Sequence, residues 1–264
     1  MIFFPRTICF VGTQIKSFFF FVIAKHRLKM IVMSSRNRLG PTHFISVPIN
    51  SPQILNNFNI FKQRALELCP GLDETLFILG TKLHLTVGVA ALVDDQERLQ
   101  ASNILQSIAR DIIRPSLAPY HPLQVRMKGV SYMNDDPSRI NVLFANVQEE
   151  NAPPGVLQTL VDQILHVYIK GGIMKKEFGR DHIKLHVTLM NSRYRERDQT
   201  EKSEDEGPQK RRPFDGTNIM QHLADFDFGV ADIRSIHLSQ MHDALTPEGY
   251  YPSTCVVQCG TTDD

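Results

Sequence analysis

Cysteine is scarce in this chain: Cys9, Cys69, Cys255 and Cys259 are the four among 264 residues. None belongs to a C-x-x-C pair or to a Cys/His spacing suited to zinc. A disulfide scaffold and a zinc domain are therefore excluded, and a reducing, intracellular compartment is the simpler setting. Excess charge of either sign is also lacking, with a formal net charge of +1. That excludes a domain holding long duplex nucleic acid by bulk positive charge, while leaving room for a local basic patch. A membrane-length apolar run is missing too. The stretch Ser17 to Ala24 lies between Lys16 and Lys25 and falls well short of the roughly 20 residues a membrane helix needs. A secretory signal would continue into a small-residue cleavage site, whereas Lys25, His26 and Arg27 follow. Met30 and Met33 are alternative starts. Residues 1–40 are read as a non-domain N-terminal extension, disordered or upstream of the true start; the rival reading is a weak membrane or organelle signal.

What remains is globular in composition, with 42% hydrophobic and 22% charged residues. Thr42 to Pro48 reads as a strand, and Ser51 followed by Pro52 opens a helix. Ile54, Phe58, Phe61, Ala65 and Leu68 recur at helical spacing until Pro70-Gly71 stops them. Leu83 to Leu92 is β-rich. Asp94 and Asp95 start a second helix, with Leu99, Ile104, Leu105, Ile108 and Ile112 expected on its buried side. Leu123 to Met133 and Ile140 to Val147 read as strands joined by Asn134-Asp135-Asp136-Pro137. A third helix follows Pro153-Pro154 and closes at Gly171-Gly172. Further strands are expected at His182 to Met190, Ile233 to Met241 and Tyr250 to Val257, the last after a Pro247-Glu248-Gly249 turn; a short helix covers Thr217 to Ala224. Ser192 to Pro213, rich in charge, reads as a solvated insertion whose Lys210-Arg211-Arg212 triplet is a weak nuclear-import cue. Tight turns between strand pairs favour α+β with antiparallel sheets over a doubly wound parallel sheet.

The most informative feature is a repeat. Residues 82–87 read Lys-Leu-His-Leu-Thr-Val and residues 184–189 read Lys-Leu-His-Val-Thr-Leu. A lone H-x-[ST] arises readily by chance, but a paired hexapeptide has a chance probability of at most about a few per cent, so half-chain duplication explains it better. In a strand, alternate side chains share a face. Lys82, His84 and Thr86 then lie together, as do Lys184, His186 and Thr188, while Leu83, Leu85, Val87, Leu185, Val187 and Leu189 point into the core. A face carrying Lys, His and Thr is costly to bury unpartnered, so it is expected to line a cleft.

Two opposed imidazoles suit phosphoryl-ester chemistry, one accepting a proton from the attacking hydroxyl and the other donating one to the leaving oxygen. The threonine hydroxyls can donate to non-bridging phosphate oxygens. Lys82 and Lys184 either add positive potential at the rim or are solvated strand-end lysines. A metal site is disfavoured because no acidic residue occupies either hexapeptide; Asp181, the nearest, falls on the opposite face of an ideal strand.

The motifs His84-Leu-Thr86-Val and His186-Val-Thr188-Leu resemble the two H-Φ-[ST]-Φ marks of the two-histidine phosphoesterase superfamily. The stretches Lys184 to Asn191, Pro213 to Ile219 and Ser235 to Met241 are similar to the branch found as subunits of a helicase-containing transcription cointegrator complex. The resemblance covers about Thr42 to Gln258. It implies an α+β, duplicated, two-lobed fold with antiparallel sheets lining a central cleft and helices packed outside, in a domain of residues 41–260. It also implies His84, Thr86, His186 and Thr188 as the catalytic and phosphate-binding set, no cofactor, and an RNA or nucleotide phosphodiester substrate: 2′,5′-linked, 2′,3′-cyclic or an oligonucleotide end. Cointegrator and DNA-repair association in the nucleus, or additionally in the cytoplasm, would follow, with no membrane partner. Members of this branch carry an RNA-binding KH domain, which needs a G-x-x-G loop. None of the fifteen glycines here has another three residues away. A non-catalytic nucleotide- or RNA-binding subunit is the competing function.

Other residues are weighed on the same terms. His237-Leu-Ser239 is a third H-Φ-[ST] without a hexapeptide match, and reads as structural. Phe44 could stack on a base, although a core role is the simpler one. Lys170, Lys175, Lys176, Arg180 and Lys184, against Glu177 and Asp181, form either a steering patch or ordinary solvated surface. His166 reads as structural, and Cys255 and Cys259 as buried thiols.

Overall fold

The computed structural model describes residues 40–175, 182–195 and 212–260. Pro41–Asp264 form one compact unit. The extension expected over residues 1–39 lies outside the described residues. So do residues 196–211, the greater part of the charged insertion, and residues 176–181 of the basic run, Asp181 among them.

Eight strands form one antiparallel sheet, in the order β6-β3-β4-β5-β2-β1-β7-β8. They are β1 (His43–Pro48), β2 (His84–Ala90), β3 (Leu123–Tyr132), β4 (Val142–Glu149), β5 (His186–Asn191), β6 (Asp227–Ile233), β7 (Ser235–Gln240) and β8 (Ser253–Gln258). The helices are α1 (Pro52–Leu68), α2 (Asp95–Ile108), α3 (Arg114–Leu117), α4 (Val156–Lys170) and α5 (Thr217–Leu223). The sheet curls, with helices against its outer face: α1 on β6, α4 on β2 and β4, and α2 on β7 and β8.

The duplication is visible in the order of elements. β1-α1-β2 and β4-α4-β5 are each a strand, a helix and an antiparallel neighbour bearing an H-x-T motif. Expected separate sheets are thus fused. The quartets β6-β3-β4-β5 and β2-β1-β7-β8 join through one pair, Leu85 opposite Val187.

Local chemistry explains the helix starts. The Ser51 hydroxyl accepts the Ile54 amide with Pro52 in the first turn, as the sequence indicated. At α2, Asp94 accepts the Glu97 amide while the Glu97 carboxylate reaches back past the cap to accept the Val93 amide. That pairing sets the phase of α2. Its buried stripe is Glu97, Ala101, Leu105 and Ile108, which leaves Leu99, expected inside, 61% exposed. Ile104 and Ile112 are half-buried.

A strand was missed. The strand expected from Ile233 to Met241 is β7; the missed one is β6, which precedes it and meets it at Arg234. β6 pairs with β3, but Gly229 at φ +99 breaks the alternation of Phe228, Ala231 and Ile233 that would have marked it. The last strand begins at Ser253, later than expected, because Tyr250 and Tyr251 belong to the preceding turn region. Cys259 is buried as expected, whereas Cys255 is half-buried.

Candidate active site

The pair Leu85–Val187 organises the site. Both side chains are buried, at 1% and 0% exposure, so the residues flanking them face the other way. Antiparallel register through that pair then sets His84 on the side of Thr188 and Thr86 on the side of His186. The four predicted residues therefore share one face at the centre of the sheet, and all are half-buried. Leu83, Val87 and Leu189 are buried on the opposite face, as the alternation required, whereas Leu185, expected with them, is half-buried.

Each histidine is oriented by its own strand. His84 Nδ1 lies 2.6 Å from the Lys82 carbonyl oxygen, and His186 Nδ1 lies 2.7 Å from that of Lys184. A carbonyl only accepts, so both Nδ1 atoms carry hydrogen and both Nε2 atoms are left for proton exchange in the cleft. His84 Nε2 accepts from the Thr86 hydroxyl at 3.0 Å. The lysine at the start of each hexapeptide thus has a backbone role that does not depend on its side chain.

Electrostatics keep both rings neutral. Burial pushes His84 down to about 4, helped by the charges of His186 and Lys82 and opposed by the Lys82 carbonyl hydrogen bond. His186 is lowered as well, first by burial and then by Lys184, against its carbonyl hydrogen bond. Desolvation also lowers Lys82. Among the described residues, no three His, Cys, Asp or Glu side chains gather as a metal-binding group.

Aromatic rings complete the walls. Phe44 sits 5.0 Å from the His84 ring, and Phe144 sits 5.3 Å from the His186 ring. Phe44 is only 3% exposed, so the base-stacking option for it is corrected: it supports His84 and Tyr251 from beneath. The lysine ammonium groups lie over rings, Lys82 over Tyr251 at 5.0 Å and Lys184 over Phe144 at 4.3 Å. Lys82 is half-buried and Lys184 exposed. Tyr250, Tyr251 and Phe144 escaped the sequence reading. Two adjacent tyrosines after a turn were the available signal for the first two; Phe144 looked like any core residue.

His237 lies in the same cross-strand row as Ser46 and Thr86. Its ring nitrogens pair with Ser235 at 2.8 Å and Ser253 at 3.1 Å, within the β7–β8 hairpin. Both nitrogens are therefore engaged away from the H-x-T pair.

Residues 41–258 match the family model of the AKAP7 2′5′ RNA ligase-like domain. The chain is 34% identical over 229 residues to activating signal cointegrator 1 complex subunit 1 of Mus musculus, covering 83% of this chain and 63% of that protein. A crystal structure of a phosphoesterase aligns at 14% identity and a TM-score of 0.49, over 84% of this chain and 100% of the other. E. coli LigT complexed with 3′-AMP aligns at 13% identity and 0.49, over 83% and 97%. With its repeated hexapeptide and a family match that runs from residue 41 to residue 258, the chain belongs to the AKAP7 2′,5′ RNA ligase-like domain family.

Proposed function

We propose that this protein is a metal-independent phosphodiesterase acting on RNA-derived or nucleotide phosphodiesters: 2′,5′ linkages, 2′,3′-cyclic phosphates or oligonucleotide ends. One observation carries the reading: the Leu85–Val187 pair brings both H-x-T motifs onto one face, with both Nε2 atoms free of the backbone. His84, the more strongly depressed imidazole, takes the base role, and His186 takes the acid role. His84 Nε2 removes the proton of the attacking water or hydroxyl as its oxygen bonds to phosphorus. The bond from phosphorus to the leaving oxygen breaks, and that oxygen takes the Nε2 proton of His186, which acts as the imidazolium formed when the anionic phosphate binds and raises its proton affinity. Thr86 and Thr188 donate to the non-bridging oxygens, where charge builds up.

The test is a screen of short 2′,5′-, 3′,5′- and cyclic-phosphate substrates with EDTA present, comparing the wild type with His186→Ala and with the His84→Ala/His186→Ala double variant. Turnover that survives the chelator and is lost in both variants supports the proposal. Full activity in the double variant overturns it.

Similarity to a cointegrator complex subunit favours a second reading, a non-catalytic nucleotide-binding subunit of a helicase-containing nuclear assembly. Nuclear recovery of a stable complex containing a helicase, unchanged by the histidine substitutions and without turnover on any RNA end, would select it.

A further inference from the structure

The aromatic rings around the two histidines are not equivalent. Phe44 is 3%, Phe144 0% and Tyr250 7% exposed, whereas Tyr251 is half-exposed. Tyr251 stands 5.6 Å from the His84 ring, edge-on to both His84 and Phe44. Tyr194 is also open, at 39% exposure, and lies near Tyr251, but among the described residues the ring packed against His186 is Phe144. There Phe144 is covered, with Lys184 over it, and the residue across from His186 in β4 is the amide Asn146.

The tyrosine is held firmly. Its neighbour Tyr250 donates its phenol hydrogen to Ser46 at 3.0 Å, and Ser46 pairs with Ser239 at 2.9 Å, both serines being 0% exposed. The turn before it is fastened to the segment that carries Lys82: the Thr81 hydroxyl donates to the Gly249 carbonyl at 2.8 Å. Asn50 in turn donates to the Thr81 carbonyl at 2.8 Å. A buried, hydrogen-bonded anchor behind one partly open ring is the arrangement of a fixed stacking platform.

We propose that Tyr251 is the nucleobase-recognition residue, and that substrate is gripped through a single nucleoside on the His84 side of the phosphate. This rests on the phosphodiester reading of the His/Thr tetrad. A phosphate between the histidines offers the Lys82 ammonium a stronger partner than the ring it covers, which frees that face for the base. On the His186 side, charge and amide contacts hold the other alcohol component without an aromatic ring, so its identity is tolerated.

Binding of inorganic phosphate, ribose 5-phosphate and adenosine monophosphate to the full chain tests this, by calorimetry with histidine NMR alongside. Adenosine monophosphate is expected to bind roughly 10- to 100-fold more tightly than ribose 5-phosphate, the increment a stacked base supplies. Tyr251→Leu should remove that increment and leave phosphate affinity intact, while Tyr251→Phe should keep it. Equal affinity for the two nucleotide-like probes, or an increment surviving in Tyr251→Leu, overturns the assignment. If phosphate leaves the His84 and His186 resonances unmoved, the phosphodiester reading itself fails, and this inference falls with it. A wild-type melting temperature in Tyr251→Phe keeps the comparison valid if Tyr251→Leu folds poorly.

Discussion

Leu85 and Val187 face each other at the one residue pair that joins β2 to β5, and each is followed by the threonine and preceded by the histidine of its motif. The contact is apolar and buried on its helix side, so the chemistry on the cleft side depends on a packing interaction beneath it. Leu85→Ala should cost about 2–5 kcal/mol, the usual range for a fully buried leucine. Denaturant unfolding followed by circular dichroism measures this. An unchanged midpoint would mean that the two quartets hold together without the pair.

The acid–base roles predict a separable kinetic signature. His84→Ala and His186→Ala should each lower kcat by about 10²–10⁴, and the double variant should lose far less than the product of the two, because the residues act as a unit. A bell-shaped profile of kcat/KM against pH is expected in the wild type, with one limb absent from each single variant. Additive losses and an unchanged profile would remove the paired mechanism.

His84 also couples stability to pH. Its folded-state pKa, about 4, lies below the ordinary histidine value of 6.5, so the unfolded chain binds the proton more readily. The stability associated with the neutral ring is fully present above about pH 6.5 and is lost as pH falls through the window from about 6.5 to about 4, by roughly 3 kcal/mol. Chemical denaturation across that window should show a shallower decline in His84→Gln than in the wild type. A bound phosphate should raise the titration midpoint of His84 in NMR. Identical slopes in the two proteins would show that His84 is not the group responsible.

The strand alternation around each hexapeptide was enough to place all four site residues on one face, because period-two patterning is local and an apolar residue stands on either side of each histidine, buried at Leu83, Leu85 and Val187 and half-buried at Leu185. The helix caps at Ser51 and Asp94 were equally legible, since they are written in adjacent residues. Leu99 was misplaced because the reach of Glu97 back to Val93 fixes the phase of α2, and hydrophobicity alone does not show which polar residue will be buried. β6 was hidden by the positive φ of Gly229, and its pairing with β3 is a long-range fact. The tyrosine pair after the turn was visible, but the place of Tyr251 beside His84 is likewise a long-range fact. That ring reaches His84 only through a turn fastened to Thr81, distant in sequence.

That fastening gives the most specific expectation. Gly249 has φ +80, where an L side chain costs about 1–2 kcal/mol, and a Cβ there would come within 2.9 Å of the Thr81 hydroxyl oxygen. The threonine is β-branched and already bonded to the Gly249 carbonyl, so it has little freedom to move aside. Gly249→Ala should therefore break this bond and shift Tyr251 relative to Lys82. Thr81→Val should do the same with side-chain volume kept and no backbone strain. In both variants affinity for adenosine monophosphate should fall while affinity for inorganic phosphate holds, because the His/Thr tetrad stands on β2 and β5 rather than on the turn. Parallel losses for the two ligands in Thr81→Val would show that the turn supports the phosphate site itself, and would separate Tyr251 from the role of positioned platform.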